Sequence, residues 1–178
     1  MKRVTLFACC FMVFFQADLI ANDEREGSVT TTYDVTEEAI IHASPEAVYK
    51  AIIDIYDGKA GWWLPDFSSR ICHGATSGNE GAVYEVTIHA LYPIRFMTKT
   101  VGTKKNEMIS VDYVDGAFIG HGVWTFENID GNTKISLRWR TNPGSLFMRM
   151  VAPFYPVAKN HSIVMQSGFR KLDQFLNK

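Results

Sequence analysis

The chain has 178 residues, of which 47% are hydrophobic, 13% aromatic and 21% charged. This length suits one domain with a substantial core, and the composition excludes a disordered protein, which would combine few hydrophobic residues with a high net charge. The formal net charge is −1 and the sequence contains no long run of Lys or Arg. We therefore expect no nucleic-acid partner.

Residues 1–21 have the pattern of a secretory signal peptide. Lys2 and Arg3 precede an almost uninterrupted apolar run, and Ala21 precedes the polar stretch NDEREG. The apolar run is short for a membrane span. We expect cleavage after Ala21 and export of the remaining chain, to the periplasm in a Gram-negative host and to the medium otherwise. An uncleaved N-terminal anchor and a lipoprotein signal at Cys9 are the alternatives.

A polar linker at residues 22–31 precedes the expected domain at residues 32–178. The domain opens with the segment TTYDVTEEAIIHA at residues 31–43, whose β-branched residues predict a strand. Cys72 is the only cysteine after the signal, so the mature chain can form no internal disulfide. Stability must therefore come from the core.

A short amphipathic helix is predicted directly after this strand. Ser44 is suited to cap it, Pro45 to its first turn, and Glu46 to the positive end of its dipole. The sequence Asp57-Gly58 is a typical helix end. The apolar residues follow helical spacing and would form one buried face, namely Val48, Ile52, Ile55 and Tyr56.

From Phe67 to Asn142 the hydrophobic period changes to two, which is the period of β-strands. Strands this close together, joined by short turn sequences, are antiparallel neighbours, so we expect a meander. Gly120 and Gly122 on the fourth predicted segment leave room for a bend or a close neighbour. The predicted strand segments cover residues 80–90, 93–103, 107–114, 117–128 and 133–142.

The C-terminal part is predicted to be helical from Ser145 to Lys178, with an interruption at Pro153 and Pro156. The long second part carries an apolar stripe at helical spacing. Within this stripe, Gly168 would let the helix lie close to a sheet.

This order of elements, with the sequence ASPEAVYKAIID directly after the first strand, resembles the helix-grip proteins of the START, polyketide-cyclase and Bet v 1-like (SRPBCC) superfamily. The resemblance covers about residues 32–177. It implies an α+β fold in which a curved antiparallel β-sheet wraps a long C-terminal α-helix, with two short helices after the first strand. The gap between sheet and helix would be a hydrophobic cavity.

The resemblance also implies a place for the sequence GKAGWW. It would form the second short helix near the cavity floor, with one of Trp62 and Trp63 packing inward and the other facing the mouth. The alternative is that both rings seal an edge of the core. An indole ring has an N–H group that needs a hydrogen-bond partner, which suits a position at the cavity rim.

Motifs of catalysis and of metal binding are missing from the sequence. The five histidines are scattered, and there is no nucleophile elbow, P-loop or glycine-rich dinucleotide turn. We expect no metal, no cofactor and no catalytic residue. An enzyme of the cyclase or dehydratase type is the alternative, and it would need two of Glu85, His89 and His121 to converge.

The favoured interpretation is a protein that binds or transfers a hydrophobic small molecule, such as a lipid, an isoprenoid or an aromatic metabolite. A binding module for another exported protein is a further alternative, and we expect a monomer or weak dimer. His161 lies on the apolar stripe of the last helix, where a histidine is more often part of the core. The residues expected to contact the ligand are Trp62, Trp63, Glu85, Arg95, His121, Trp124, Trp139, His161 and Met165.

Overall fold

The structure is a computed structural model that describes residues 33–72, 78–90 and 92–178. The expected signal peptide at residues 1–21 and the linker at residues 22–31 lie outside the described residues. No helix in the described part of the chain is both long and apolar enough to cross a membrane.

The described residues form one seven-stranded antiparallel sheet. Its order is β1-β7-β6-β5-β4-β3-β2, so β2 to β7 form the predicted meander and β1 joins it by pairing with β7. The strands are β1 (Tyr33–Ile41), β2 (Phe67–Ile71), β3 (Val83–Ile88), β4 (Ile94–Lys104), β5 (Met108–Gly116), β6 (Phe118–Ile129) and β7 (Asn132–Pro143).

Three helices accompany this sheet among the described residues: α1 (Pro45–Tyr56), α2 (Leu146–Val151) and α3 (Val157–Leu176). The Ser44 hydroxyl accepts a hydrogen bond from the Ala47 N–H at 3.3 Å, which caps α1 as the sequence predicted. Ser145 caps α2 in the same way. The predicted interruption falls between α2 and α3, where prolines prevent one continuous helix.

The prediction of a second short helix at the sequence GKAGWW is wrong. Residues 62–66 form turns, in which the Trp63 carbonyl accepts hydrogen bonds from the N–H groups of Asp66 and Phe67, and β2 begins at Phe67. Pro65 has no N–H to donate to the Gly61 carbonyl, so a helix cannot propagate through it. Phe67 already pairs with Ile88 of β3, so the chain must be extended from this residue onward.

The sheet bends at β4, whose pairing with β5 shifts register between Met97 and Thr98 and again between Thr100 and Gly102. Gly120 in β6 is a further point of close approach. Its φ of +149° is unfavourable for a side chain, and a Cβ there would lie 2.2 Å from the Arg140 carbonyl oxygen.

The core lies between one face of the sheet and the helices α1 and α3. From α3, Phe169 meets Trp124 of β6 edge to face at 6.4 Å, and Leu172 is fully buried. From α1, Val48 and Ile52 are buried as their helical spacing predicted. The space that these side chains do not fill lies farther toward the start of α3.

Candidate ligand cavity

A cavity of about 100 Å³ lies between the sheet and α3. Its wall takes side chains from α1, from the turn before β2, from strands β2 to β7, and from α2 and α3. Among the described residues that line it, none is Asp, Glu, Lys or Arg. Aromatic rings form much of this wall, including Tyr56, Trp63, Phe96, Tyr113, Phe118 and Trp139.

One side of the cavity is built around Trp139 of β7. Its indole stacks on the His161 ring of α3, with centroids 4.3 Å apart and planes 8° from parallel. The rings of Phe118 and Tyr113 meet Trp139 edge to face. These contacts join β5, β6, β7 and α3 at one aromatic cluster and hold the His161 ring at the cavity wall.

The two adjacent tryptophans form a stack at another side. Trp62 lies parallel to Trp63 at 5.3 Å, and Trp63 lies parallel to Phe67 at 4.6 Å. Both indoles are buried, with 9% of Trp62 and 2% of Trp63 exposed. Trp62 donates its N–H to the Ala51 carbonyl at 3.2 Å. Both rings therefore seal the core edge, which was the alternative arrangement, and only Trp63 also lines the cavity.

Three ionisable groups of the wall are neutral at pH 7, and burial makes their charged forms still less favourable. It raises the pKa of Tyr56 to about 12 and holds the pKa of Tyr113 well above its ordinary value. It lowers the pKa of His161 to about 4, against a smaller opposing effect of the Glu37 carboxylate. In each case the charged form would lose its hydration. The cavity therefore offers no charge to compensate an ionised ligand group.

Three polar atoms of wall residues are buried without a hydrogen-bond partner among the described residues: Trp63 Nε1, Trp124 Nε1 and His161 Nδ1. The Trp124 N–H lies near the Tyr56 hydroxyl and slightly offsets the rise in the pKa of Tyr56 that burial causes. The two groups nevertheless do not form a well-shaped hydrogen bond. Buried polar groups are almost always paired. Trp63 Nε1 packs against Gly168 of α3, so Trp124 Nε1 and His161 Nδ1 are the two that could meet an oxygen of a bound molecule after small side-chain movements.

Five of the nine expected ligand residues line the cavity: Trp63, Trp124, Trp139, His161 and Met165. The expectation that the other four would line it is wrong. Trp62 lies behind Trp63, as described above. The other three point to the outer face of the sheet. Successive side chains of a strand point to opposite faces, and the neighbours of Glu85, Arg95 and His121 along their strands face the cavity or are buried.

Outside the cavity, Glu85, His121 and Arg95 each contact other polar groups or solvent. Glu85 pairs with Arg70 of β2 on the outer face. His121 contacts Asp112 through Nδ1 at 2.8 Å and Ser110 through Nε2 at 3.1 Å. Arg95 is exposed beside a more open depression of about 210 Å³ next to the cavity.

The acid and base groups of the alternative enzyme do not converge. Glu85 on β3 and His121 on β6 are separated by three strand spacings, about 14 Å. His89 hydrogen-bonds to the Ser68 hydroxyl at 2.7 Å. Within residues 33–72, 78–90 and 92–178, no three His, Cys, Asp or Glu side chains come together in a way that could hold a metal ion.

Several wall residues were missed in the sequence, and they have a recognisable signal. Tyr113 follows the buried residues Ile109 and Val111 at intervals of two along β5, so it lies on the same inward face. Tyr56 is the last residue of the buried helical stripe of α1. Selecting the aromatic residue at the end of each buried stripe would have found both.

Comparison with known proteins gives no match to a family model and no match to a curated protein sequence. Solved structures do match. The protein TTHA0849 from Thermus thermophilus has a TM-score of 0.61 at 18% identity over 79% of this chain and 97% of its own. CV1439 from Chromobacterium violaceum has a TM-score of 0.60 at 17% identity over 82% and 97%. Ara h 8.0201 has a TM-score of 0.57 at 15% identity over 81% and 97%.

The chain has the helix-grip fold, which it shares with these solved structures. Identities this low show the fold alone, because one scaffold carries many functions. The predicted α+β class, with a curved antiparallel sheet around a long C-terminal helix, is confirmed.

Proposed function

We propose that this protein binds a neutral, hydrophobic small molecule in the cavity between the sheet and α3. The observation that carries the proposal is an aromatic and aliphatic wall without charged residues, in which Tyr56, Tyr113 and His161 are held neutral. Apolar ligand surface removed from water contributes roughly 25 cal/mol per Å², so such a wall retains a ligand without any catalytic group.

The cavity volume favours a compact ligand. An empty apolar cavity of about 150 Å³ is enough to bind benzene. The cavity here, at about 100 Å³, is smaller than that, so one ring or a short branched chain would fill it and project toward Tyr155 and Met148. Of the three ligand classes considered, this favours an aromatic metabolite over a lipid or an isoprenoid, whose long chains would need several side chains to move.

The unpaired polar atoms favour a ligand that carries an oxygen. A carbonyl or hydroxyl oxygen could accept a hydrogen bond from Trp124, whose indole N–H lies near the Tyr56 hydroxyl but forms no well-shaped hydrogen bond among the described residues. A hydrogen bond of this kind contributes about 0.5–1.5 kcal/mol, which is a roughly 2- to 10-fold gain in affinity.

Three probes of similar size separate these contributions: acetophenone, α-methylstyrene and benzoate. Acetophenone has a ring and a carbonyl, α-methylstyrene has the same shape without the acceptor, and benzoate carries a charge. We expect acetophenone to bind, α-methylstyrene to bind roughly 2- to 10-fold more weakly, and benzoate not to bind. Calorimetric titration and the shift of the tryptophan indole N–H signals in NMR spectra would measure this.

A matched pair of variants places the binding in the cavity. Val164 lines the cavity, whereas its neighbour Ile163 is exposed on the outer side of α3. Val164→Phe should fill the space and abolish acetophenone binding, and Ile163→Phe should leave it unchanged. Equal affinity of the wild type and Val164→Phe would refute the proposal.

We also propose that the protein is exported. The support is the sequence of residues 1–21, with two basic residues, an apolar run and a small residue before a polar stretch. The intact mass of protein purified from its own host should correspond to a chain that begins at Asn22, and cell fractionation should place it outside the cytoplasm. A full-length mass in the cytoplasmic fraction would exclude export.

A further inference from the structure

A patch of exposed apolar side chains lies beside the cavity, on α2 and on the loops before β4 and after α2, and we call it the mouth patch. Large apolar side chains are normally scattered singly over a protein surface, so a group of five is a sign of an interaction site. Their exposed fractions run from 59% for Met150 to 90% for Phe154. The mouth patch consists of Tyr92, Leu146, Phe147, Met150 and Phe154.

The mouth patch is continuous with the cavity. Tyr92 and Phe147 line the depression beside Arg95, together with Ile94 and Met148. Ile94 and Met148 also line the cavity itself. Beyond α2, Phe154 is followed by the cavity residue Tyr155. A molecule that enters the cavity on this side therefore passes the mouth patch.

The surroundings of the mouth patch are cationic. Arg149 lies between patch residues on α2, Arg95 borders the depression, and Lys159 lies in the first turn of α3; all three are exposed. Asp115 precedes Gly116, which lines the depression, and is the acidic residue closest in sequence to the lining residues. Over residues 131–172 the sequence has no Asp or Glu but has Lys134, Arg138, Arg140, Arg149, Lys159, Arg170 and Lys171.

Three of these cations, two on the sheet and one on the later part of α3, have acidic partners in the fold. Lys134 pairs with Glu38, Arg138 with Asp34, and Lys171 with Asp66. Arg149 and Lys159 form no ion pair with an acid among the described residues, so they leave positive charge at α2 and the start of α3, where the apolar side chains are exposed. Exposed aromatic and aliphatic side chains with flanking Arg and Lys are typical of a surface that inserts shallowly into an anionic membrane.

We propose that the mouth patch docks on the surface of a membrane that contains anionic lipid, with the opening of the cavity facing the bilayer. Leu146, Phe147, Met150 and Phe154 enter the interface, and Arg149 contacts lipid phosphates. This gives a neutral hydrophobic ligand a path between bilayer and cavity that avoids water. Docking itself does not depend on the ligand, since it uses residues on the outer surface.

The test is flotation of the purified protein with lipid vesicles. We expect the wild type to float with vesicles made of equal parts of phosphatidylcholine and phosphatidylglycerol, and to float less with phosphatidylcholine alone. The double variant Phe147→Ser, Phe154→Ser should lose binding by roughly tenfold or more, because two rings no longer leave water. Arg149→Gln should weaken binding only to the anionic vesicles.

Val101→Ser is the matched control. Val101 is exposed on β4, seven residues from Ile94, which is about 23 Å along an extended strand. This variant should float like the wild type. The Val164→Phe variant, whose cavity is filled, should also float like the wild type, so failure of docking and failure of ligand binding are distinguished. Near-ultraviolet circular dichroism would verify that each variant is folded.

Two results would overturn the proposal. One is that the wild type stays in the unbound fraction with both kinds of vesicle. The other is that the double variant floats as well as the wild type. If the wild type is a dimer in light scattering and the double variant a monomer, and neither floats, the patch is an interface between copies of the chain. Capture of a second protein by the patch, without flotation, would assign it to a protein partner.

Discussion

Gly168 of α3 lies directly against the indole ring of Trp63. A Cβ at residue 168 would be 2.2 Å from Trp63 Cε2 and 2.7 Å from Trp63 Nε1, distances at which atoms overlap. The sequence predicted that this glycine would let α3 approach a sheet. The structure shows that its close neighbour is instead the turn before β2, which carries one wall of the cavity.

We predict that Gly168→Ala destabilises the protein, although the same change in a helix normally stabilises it by up to about 1 kcal/mol. The added methyl group must displace the stack of Trp62, Trp63 and Phe67, so the free energy of unfolding should fall by about 1–3 kcal/mol. Urea denaturation measures the change, and near-ultraviolet circular dichroism reports the altered tryptophan stack.

Gly102→Ala is the control for this substitution. A Cβ at residue 102 would meet nothing closer than Ser110 Cβ at 3.6 Å, which is an ordinary contact. This variant should keep the wild-type tryptophan spectrum. If Gly168→Ala is as stable as the wild type, with an unchanged spectrum, the close contact with Trp63 is absent in solution.

A second prediction concerns pH and His161. Burial lowers the pKa of His161 to about 4 in the folded protein, whereas the unfolded value is about 6.5. The unfolded chain therefore binds a proton first, and stability falls as the pH drops from about 6.5 to about 4. The total effect is on the order of 3 kcal/mol, at 1.36 kcal/mol for each unit of pKa difference.

The variant His161→Phe should remove this pH dependence while keeping a ring stacked on Trp139. Urea denaturation between pH 4 and pH 8 would show a flatter profile for the variant, and parallel profiles above pH 7. Identical slopes for both proteins below pH 6 would show that His161 is hydrated rather than buried.

A third prediction concerns the link between the Trp63 turn and α3. Lys171 lies 2.8 Å from the Asp66 carboxylate, which also accepts a hydrogen bond from Ser167. The hydrogen bond from Lys171 is the main reason that the pKa of Asp66 is lowered. Its contribution to stability is present above the unfolded pKa and is lost as the pH falls through the folded pKa, which lies below 3.8.

Asp66→Asn should therefore lower the free energy of unfolding at pH 7. It should have no such effect at a pH below the folded pKa of Asp66, where the wild-type carboxyl group is protonated. We expect a loss of about 1 kcal/mol or less, because both partners are partly exposed and screened by water. Lys171→Met should cause a similar loss, and the double variant should lose less than the sum. Fully additive losses would mean that the two side chains do not interact.

A fourth prediction concerns the buried N–H of Trp62. Trp62→Phe keeps an aromatic ring against Trp63 but leaves the Ala51 carbonyl without this donor. Because this carbonyl lies inside α1 and keeps its helical partner, the N–H of Ile55, the free energy of unfolding should fall only by the net value of one hydrogen bond, about 0.5–1.5 kcal/mol. A variant of wild-type stability would show that water replaces the indole at this carbonyl.

The sequence by itself determined the elements whose signals are local. Helix α1 has its cap at Ser44 and its buried stripe within twelve residues, and the strands show their two faces through alternation. Since neighbouring strands joined by short turns can only be antiparallel, the order of elements was enough to indicate the sheet. It was also enough for the resemblance to the helix-grip fold.

Only the tertiary structure decided which face of each strand lines the cavity and what the cavity is like. Alternation separates Glu85 from Tyr84, but it does not tell which of the two meets α3. The turns at Trp62 and Trp63 depend on Pro65 and on the pairing of Phe67 with a distant strand. The neutrality of His161 arises because residues far apart in the chain together exclude water from its ring, and no local pattern records that burial.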